Sequence, residues 1–218
     1  MGLRQMYRVA ALIILGLVVG LSAVGCAGPS YNYVADYSDN AYFKVPPNWH
    51  QVNESTLESA EGSSNSDGTF LWSRAFDASS QPSVQHIFAP TAVPVAYASV
   101  MSMSSSESAG FSYNSMRDLI LPVTSAARQA AAQENEPLTG FQSISDQVIS
   151  NSNGYRGIRE IFDYTLGGVP ETFDLSVMTN SATTKLYFLL VQCTASCFVN
   201  NFNQISAVVG SFTVGGGS

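Results

Sequence analysis

The sequence predicts an α+β fold in which helices pack on a mostly antiparallel sheet. Residues 70–76 and 93–101 alternate with the two-residue period of strands. Near the C-terminus, residues 155–178 have the pattern of a hairpin, and residues 185–191 are a nearly continuous apolar run. One helical segment, residues 113–135, separates these two groups of strands. Strands grouped before and after a helical segment, with hairpins between them, are typical of α+β proteins.

Residues 1–25 are predicted to be a lipoprotein signal peptide. Arg4 and Arg8 form a basic head, residues 9–21 are almost wholly apolar, and small residues lead into Cys26. This order is typical of a secretory signal. The cysteine at the exit resembles a bacterial lipobox, in which the thiol receives a diacylglyceryl group and becomes the new N-terminus. We therefore expect Cys26 to be lipidated and the mature protein to lie on the extracytoplasmic face of the cell membrane.

Two other fates of this segment stay open. Ala23, the third residue before Cys26, is a weaker match to a lipobox than the usual leucine, so plain cleavage near Ala27 is one alternative. Retention of residues 9–24 as a helix is the other, although that helix would be shorter than the ~20 residues that span a bilayer.

The mature chain is acidic, which limits its partners. The full sequence has nine Lys and Arg against sixteen Asp and Glu. Because Arg4 and Arg8 leave with the signal, seven basic residues then face sixteen acidic ones, a net charge of −9. Phosphate backbones and anionic headgroups repel such a chain, and no basic cluster offsets this. Nucleic acid is therefore not expected as a partner, and attachment to the membrane is expected through the lipid on Cys26.

Cys193 and Cys197 are an even pair in an oxidising compartment, which predicts a disulfide. Two zinc ligands are the alternative, but a zinc site needs about four ligands, and no nearby His or Cys supplies the others. A bridge across so small a loop adds modest stability, so its expected role is to fix a strand-to-helix corner. No metal and no cofactor is expected.

The folded domain is predicted to span residues 41–214, after a polar, aperiodic tether over residues 26–40. It begins with a strand near Tyr42, a turn at Pro46-Pro47 and a second short strand that carries Trp49. Two Ser-rich segments are expected to be loops, and the first of them is acidic: residues 53–68 and residues 102–110.

The remaining elements follow from turn residues and periodicity. Pro122 lies inside the helical segment, so two abutting helices fit the sequence as well as one. Gly167-Gly168 marks the turn of the hairpin, and the apolar run is expected to be a central strand covered on both faces. After Cys197, apolar residues at intervals of three and four predict a helix on the sheet, followed by an edge strand at residues 212–214. Residues 215–218 are expected to be disordered.

Several motifs resemble the PsbP-like superfamily, which includes the LpqN-type bacterial lipoproteins. The opening Tyr42-Phe43-Lys44-Val45-Pro46-Pro47-Asn48-Trp49 is similar to that superfamily's pattern of an aromatic residue, Val/Ile-Pro and Trp. Lys185-Leu186-Tyr187-Phe188-Leu189 resembles its central strand, and Ser211-Phe212 its closing strand. The resemblance covers roughly residues 40–214. It implies an α/β/α sandwich around an antiparallel sheet, in a protein that acts by binding.

No catalytic residue is predicted. No serine lies in the Gly-x-Ser-x-Gly elbow of a hydrolase, so His50 and His86 lack the context of a catalytic triad, and both are expected at the surface or at a sheet edge. Ser66-Asp67-Gly68 is only a fragment of a calcium loop, so a solvated acidic loop is preferred. A group of charged residues on two strands is expected to form cross-strand ion pairs on an exposed or edge face: Arg159, Glu160, Asp163 and Asp174.

Four side chains are predicted to line a ligand or partner surface, in a groove between the sheet and residues 111–135: Trp72, Tyr97, Phe111 and Met116. The Ser-rich loops around residues 53–68 and 102–110 are the alternative working surface. Burial in the core is the alternative for such residues, because sheet faces must be covered. Tyr31, Tyr33 and Tyr37 are expected at the membrane interface, where amphipathic rings are favoured.

The sequence thus predicts a lipid-anchored, non-catalytic binding protein. Its expected partner is an apolar envelope molecule or a membrane-associated protein. A structural accessory subunit of a membrane complex is the alternative, and a hydrolase is a weaker third. Photosystem-type members of the superfamily dock through charged N-terminal extensions, whereas residues 27–40 contain no Lys or Arg.

Overall fold

The structure, a computed structural model, describes residues 31–62, 69–133 and 138–215, which form two antiparallel sheets and six helices. The strands are β1 (Asn32–Asp36), β2 (Ala41–Val45), β3 (His50–Gln51), β4 (Phe70–Asp77), β5 (Val95–Ser102), β6 (Thr139–Ser150), β7 (Arg156–Leu166), β8 (Val169–Thr179), β9 (Lys185–Thr194) and β10 (Thr213–Val214). The helices are α1 (Glu54–Glu61), α2 (Gln85–Phe88), α3 (Ser105–Gly110), α4 (Tyr113–Arg117), α5 (Ser125–Gln133) and α6 (Ala195–Val209).

The larger sheet has seven strands in the order β3-β4-β5-β9-β8-β7-β6, and each neighbouring pair is antiparallel. The smaller sheet has the order β1-β2-β10, also antiparallel. The predicted α+β class with a mostly antiparallel sheet is therefore confirmed.

Strand β9 shows why helices cover both faces of the larger sheet. Successive side chains of a strand point to opposite faces. Leu189 and Val191 pack in one cluster with α6, whereas Phe188 and Leu190 pack in another with Met116 of α4. All four side chains are buried, so the predicted central strand covered on both faces is confirmed. The face under α6 is called the α6 face below, and the other the α4 face.

The β7–β8 hairpin and the closing elements also follow the prediction. Gly167 and Gly168 have φ values of 58° and 86°. A two-residue hairpin turn of type I′ requires a positive φ at both central residues. After the hairpin and β9, α6 docks on β8, β9 and β2. β10 ends the described chain as an edge strand of the smaller sheet.

Two segments differ from the prediction, and a third follows one of its two alternatives. Residues 53–62 of the expected acidic loop contain α1, which Asn53 caps by accepting a hydrogen bond from Thr56 N at 3.1 Å. The expected loop at residues 102–110 contains α3, which begins with a capping box at Ser104. Residues 113–133 contain two helices, α4 and α5, as in the two-helix alternative, and Asp118 holds the connection between them by accepting hydrogen bonds from the backbone N–H groups of Val123 and Thr124.

The expected tether is wrong for residues 32–36. These residues form β1, which pairs with β2 from Asn32↔Val45 to Asp36↔Ala41. The folded unit therefore begins near Tyr31, earlier than the predicted start at residue 41. The predicted signal peptide, Cys26 and residues 216–218 lie outside the described residues.

The charged residues of β7 and β8 are not on an exposed face. Arg159 donates to both carboxylate oxygens of Asp174, at 2.9 and 2.7 Å, and its guanidinium also contacts Ser206 of α6. Asp174 and Glu160 are buried, on the α6 face and the α4 face respectively. The expectation of solvent-exposed cross-strand pairs is wrong here, because both faces of this sheet are covered by helices.

Candidate functional site

A cleft runs between α1 and the edge of β4. It has a volume of ≈ 240 Å³. On the strand side it is lined by five consecutive residues, 70–74, and on the helix side by one face of α1. Because consecutive strand residues point to opposite faces, a cleft that touches all five follows the strand edge. We call it the strand-edge cleft.

The helix side of the cleft is acidic. Glu54, Glu58 and Glu61 are spaced at i, i+4 and i+7, which places them on one face of α1. Leu57 is buried beneath them and fixes the helix on the sheet with Val52 and Ala75. The cleft therefore has an apolar floor below a row of carboxylates.

Part of the β4 edge has no strand beside it. β3 covers only the end of β4, through His50↔Asp77 and Gln51↔Phe76, and Val52 N then donates to Ala75 O at 2.9 Å. The backbone of Ala75 thus points outward. Since alternate residues share that direction, the N–H and C=O of Ser73 also point outward, with no strand of the described chain next to them.

Arg74 closes one side of this edge. Its Nη1 donates to Ser73 O at 2.7 Å, its Nη2 lies 3.3 Å from Glu54 Oε1, and its guanidinium lies 5.5 Å from the centre of the Trp72 ring. The Ser73 carbonyl is therefore occupied, whereas the Ser73 N–H has no partner among the described residues. Charged side chains at an edge are a common protection against unwanted strand pairing.

Tyr97 links the cleft to the interior. Its hydroxyl donates to Glu61 Oε1 at 2.8 Å, and its ring packs edge-on against Phe188 at 5.2 Å. Burial, together with the charge of Glu61, raises the pKa of Tyr97. Tyr97 therefore stays a neutral donor that holds the end of α1 over the sheet.

A second exposed feature lies on the outer face of the smaller sheet. The pairs Tyr33↔Lys44 and Ala35↔Tyr42 share one face, whereas Phe43 points to the core. Tyr37 packs edge-on against Tyr42 at 6.0 Å. We call this surface the tyrosine face; it consists of Tyr31, Tyr33, Tyr37, Tyr42 and Lys44. All of these side chains except that of Tyr31 border a cleft of ≈ 260 Å³ that also contacts Ser211.

The four side chains predicted to line one groove do not lie together. Tyr97, Phe111 and Met116 belong to the cluster on the α4 face, and Met116 is 1% exposed. Trp72 packs edge-on against Phe43, at 6.4 Å, with the cluster on the α6 face. The groove predicted over residues 111–135 is filled by core side chains there, and Trp72 borders the strand-edge cleft instead.

Cys193 and Cys197 form a disulfide, with their Cα atoms 5.9 Å apart. The bridge joins the end of β9 to the first turn of α6, and both sulfur-bearing residues are buried. It lies in the hydrophobic core away from both clefts, so it belongs to the scaffold.

His86 makes the closest approach to a catalytic arrangement. Its Nδ1 lies 2.6 Å from Oδ2 of the buried Asp77, which also accepts from Ser79 N and Ser83 N. Although burial raises the pKa of Asp77, these hydrogen bonds outweigh it and lower that pKa. In the described part of the chain, no hydroxyl or thiol hydrogen-bonds to His86 or His50. The pair fixes the backbone between β4 and α2 and lacks a neighbouring nucleophile.

Two further features bear on the site. Over the three described ranges, no group of three or more His, Cys, Asp or Glu is arranged to hold a metal ion. The helices within those ranges are all too short or too polar to cross a bilayer.

Sequence reasoning gave residues 53–68 as an alternative working surface, expected as a loop, but missed the cleft that the helix of this segment forms with β4. The spacing of Glu54, Glu58 and Glu61 is the signal that was available, because it places three carboxylates on one side of a helix. The position of that helix beside an open edge depends on the tertiary fold.

Comparisons with known structures identify the fold. The solution structure of cyanobacterial PsbP (CyanoP) from Synechocystis sp. PCC 6803 superposes with a TM-score of 0.54 at 14% identity, covering 89% of this chain and 99% of that one. This likeness shows that the chain has the PsbP-like fold, and the fold predicted from the motifs is confirmed.

Other solved structures are less similar. The Ran-binding protein Mog1p of Saccharomyces cerevisiae gives a TM-score of 0.45 at 8% identity and covers 84% of this chain and 95% of its own. LpqN of Mycobacterium tuberculosis, which is involved in cell envelope biogenesis, gives 0.45 at 11% identity, covering 87% and 88%. No protein-family model and no curated sequence matches the chain.

Proposed function

We propose that this protein, whose chain has the PsbP-like fold, is a non-catalytic binding protein held on the extracytoplasmic face of the cell membrane by a lipid on Cys26. Its partner is a membrane-associated protein, which contributes an extended, basic segment to the strand-edge cleft. The observation that carries the proposal is the open edge of β4 beside the acidic face of α1.

The geometry favours an added strand. An extended peptide that joins a sheet edge gains main-chain hydrogen bonds, and flanking side chains give specificity. Here the Ser73 N–H points outward, and a helix flanks the edge on one side. A strand laid along β4 passes between its backbone and the carboxylates of α1.

The charges favour a basic segment. Three glutamates border the cleft against one arginine, and Arg74 is already paired with Glu54. Glu58 is exposed and faces the cleft without an ion pair among the described residues. Complementary charge steers association and selects partners more than it adds affinity.

The interior argues against the other expected ligand, an apolar envelope molecule. The groove that was expected to hold it is occupied by Met116 and Val123, which are both buried in the cluster on the α4 face. Apolar ligands need a preformed concave site with mostly apolar walls, whereas one wall of the strand-edge cleft carries three glutamates.

The test uses the two tryptophans of the chain. Trp72 borders the cleft, whereas Trp49 is 2% exposed and its Nε1 donates to Gln204. We expect a blocked hexapeptide of alternating lysine and valine to change the Trp72 emission in a saturable titration that weakens with salt. The matched peptide of glutamate and valine is expected to give no change.

Two variants locate the peptide. Ser73→Pro removes the outward N–H at an edge position where proline is tolerated, and we expect it to weaken binding by about tenfold. Glu58→Gln removes one carboxylate, and we expect a loss of about threefold. Glu107→Gln is the matched control, because glutamine also completes the capping box of α3, far along the chain from the cleft.

Equal binding of the acidic and basic peptides, or full binding by Ser73→Pro, would show that this mode of binding is wrong.

The lipid anchor on Cys26 is tested separately by metabolic labelling with palmitate. We expect label on the wild type and none on Cys26→Ser, which should also remain an unprocessed precursor. Labelled Cys26→Ser protein would contradict the proposed anchor. The peptide titration tests the strand-edge cleft independently of that result.

A further inference from the structure

We infer that the tyrosine face is a second binding surface, whose ligand is the headgroup region of the membrane. The inference rests on the proposed anchor at Cys26 and adds an orientation to it. Tyr31, Tyr33, Tyr37, Tyr42 and Lys44 would lie against the lipid, and the rest of the domain would point away from the membrane.

Exposure is the first observation. Tyr33 and Tyr37 are 82% and 81% exposed, the most exposed large apolar side chains of the described residues. Tyr33 lies on one side of a small sheet whose other side packs on the core through Phe43 and Val45. Tyr37, in the turn after β1, packs against Tyr42. Several large exposed rings on one face mark an interaction site more often than scattered single ones do.

The local charge is the second observation. The chain is acidic overall, but residues 31–45 contain only two carboxylates, Asp36 and Asp39, and these are 7% and 9% exposed. Asp39 forms an ion pair with Lys185. The only basic residue of this stretch, Lys44, holds its Nζ 4.3 Å from the centre of the Tyr31 ring. The face therefore presents rings and one cation, in contrast to the acidic chain as a whole.

Chain length is the third observation. Five residue steps separate Cys26 from Tyr31, and even a fully extended segment of that length reaches only about 18 Å. A lipid on Cys26 therefore holds the start of β1 close to the headgroups. This continuity favours a lipid surface over a protein as the occupant of the face.

The side chains suit that environment. Tyrosine has an apolar ring and a polar hydroxyl, and it is enriched where membrane and water meet. A lysine beside the rings extends its ammonium toward anionic headgroups while its stem stays on apolar surface. One diacylglyceryl group supplies the membrane affinity, so the face is needed only to orient the domain.

The experiment uses the full chain, processed in a bacterial host and reconstituted into mixed vesicles of phosphatidylethanolamine and phosphatidylglycerol. A lipid with a photoactivatable headgroup is included, and mass spectrometry maps the crosslinked residues. We expect crosslinks at Tyr37, Tyr42 and Lys44, which lie farther along the chain than the tether itself. Tyr33→Ser/Tyr37→Ser should lower the share of crosslinks at Tyr42 and Lys44 about fivefold. The matched control Phe88→Ser/Phe202→Ser changes exposed rings elsewhere and should leave it unchanged.

The same spectra report whether Cys26 carries lipid, which separates the two proposals. Lipidated protein whose crosslinks are no more frequent on the tyrosine face than around Phe88 and Phe202 overturns the orientation and leaves the anchor standing. Protein without lipid on Cys26 overturns the proposed anchor. In that case the proposed orientation is supported if the chain still floats with the vesicles and crosslinks through the tyrosine face. It is overturned if the chain does not float.

Discussion

At the scale of single residues, two buried glutamates set the response of the fold to pH. Glu160 lies on the α4 face of β7, opposite Asp146, and its Oε2 has no hydrogen-bond partner among the described residues. Burial, with help from the charge of Asp146, raises its pKa to about 7. Burial likewise raises the pKa of Glu171 to about 7, and the nearby Thr91 backbone offsets only part of this.

We therefore predict that stability falls between pH 5 and pH 7.5. Both carboxyls bind a proton in the folded state at a pH where the unfolded chain, with a pKa of 4.5, has released it. A pKa raised on folding stabilises the protein below the unfolded value, and this contribution is lost as the pH rises through the folded one. The free energy of unfolding in urea should fall by up to about 3 kcal/mol for each carboxyl.

Glu171→Gln isolates one of the two groups. The amide has the shape of the acid and does not ionise, so this variant should lose part of the difference in unfolding free energy between the two pH values. Glu58→Gln, which alters an exposed side chain of α1, should keep the whole difference. A wild-type protein with the same unfolding free energy at pH 5 and pH 7.5 would contradict the assignment.

These residues also show a limit of sequence reasoning. The alternation of Arg159 and Glu160 along β7 identifies a strand and puts the two side chains on opposite faces. It does not reveal that helices cover both faces, which is why exposed ion pairs were expected. The prediction of one groove for Trp72 and Tyr97 fails for a related reason. The face on which each side chain lies depends on strand pairing and on the bulge between Phe70 and Trp72, which the sequence pattern does not show.

At the scale of elements, the corner between β9 and α6 combines a disulfide with a helix cap. Thr194 accepts a hydrogen bond from Cys197 N at 3.4 Å, and the bridge to Cys193 closes over the same turn. The closed loop spans only four residue steps. Loop-closure entropy grows with loop length, so such a bridge constrains the unfolded chain only slightly.

We predict that the double variant Cys193→Ala/Cys197→Ala folds and loses about 2 kcal/mol of unfolding free energy. Urea denaturation of the variant, and of the wild type with and without a reductant, measures this loss. The reduced wild type should resemble the variant. Failure of the variant to fold would show that the bridge, and not the packing of β9 against α6, holds the corner together.

The elements that the sequence predicts well are those with long periodic patterns. Alternation identifies β4 and β5, a spacing of three and four identifies α6, a Gly-Gly turn identifies the β7–β8 hairpin, and a continuous apolar run identifies β9. α1 was expected to be a loop because Leu57 is its only buried residue. β6 was not predicted, since it is an edge strand with a mostly exposed, polar surface. Both elements are stabilised by their neighbours more than by their own residues.

At the scale of the whole molecule, the order of the strands creates the two candidate sites. β3 is only two residues long, so most of β4 remains an edge. The smaller sheet forms because β10 returns to pair with β2, and this places the tyrosine face beside the start of the folded unit. Motifs predicted the fold, but the two surfaces depend on pairings between residues far apart in the sequence.

The boundary of the folded unit gives the last prediction. β1 pairs with β2 over five residue pairs, and Val34 packs against the cluster on the α6 face. Asp39, in the turn between β1 and β2, forms an ion pair with Lys185. A chain that starts at residue 31 keeps these contacts, whereas one that starts at residue 41 exposes the edge of β2 and leaves Lys185 unpaired.

We therefore expect fragment 31–218 to unfold cooperatively with the stability of the mature protein, and fragment 41–218 to be less stable by about 2 kcal/mol or more. Urea denaturation of the two fragments measures this, and fragment 27–218 is the control that adds only the tether. Equal stability of fragments 31–218 and 41–218 would show that β1 is a dispensable extension. In that case the tyrosines would sit on a flexible tether, and the rigid membrane-facing surface inferred above would lose its support.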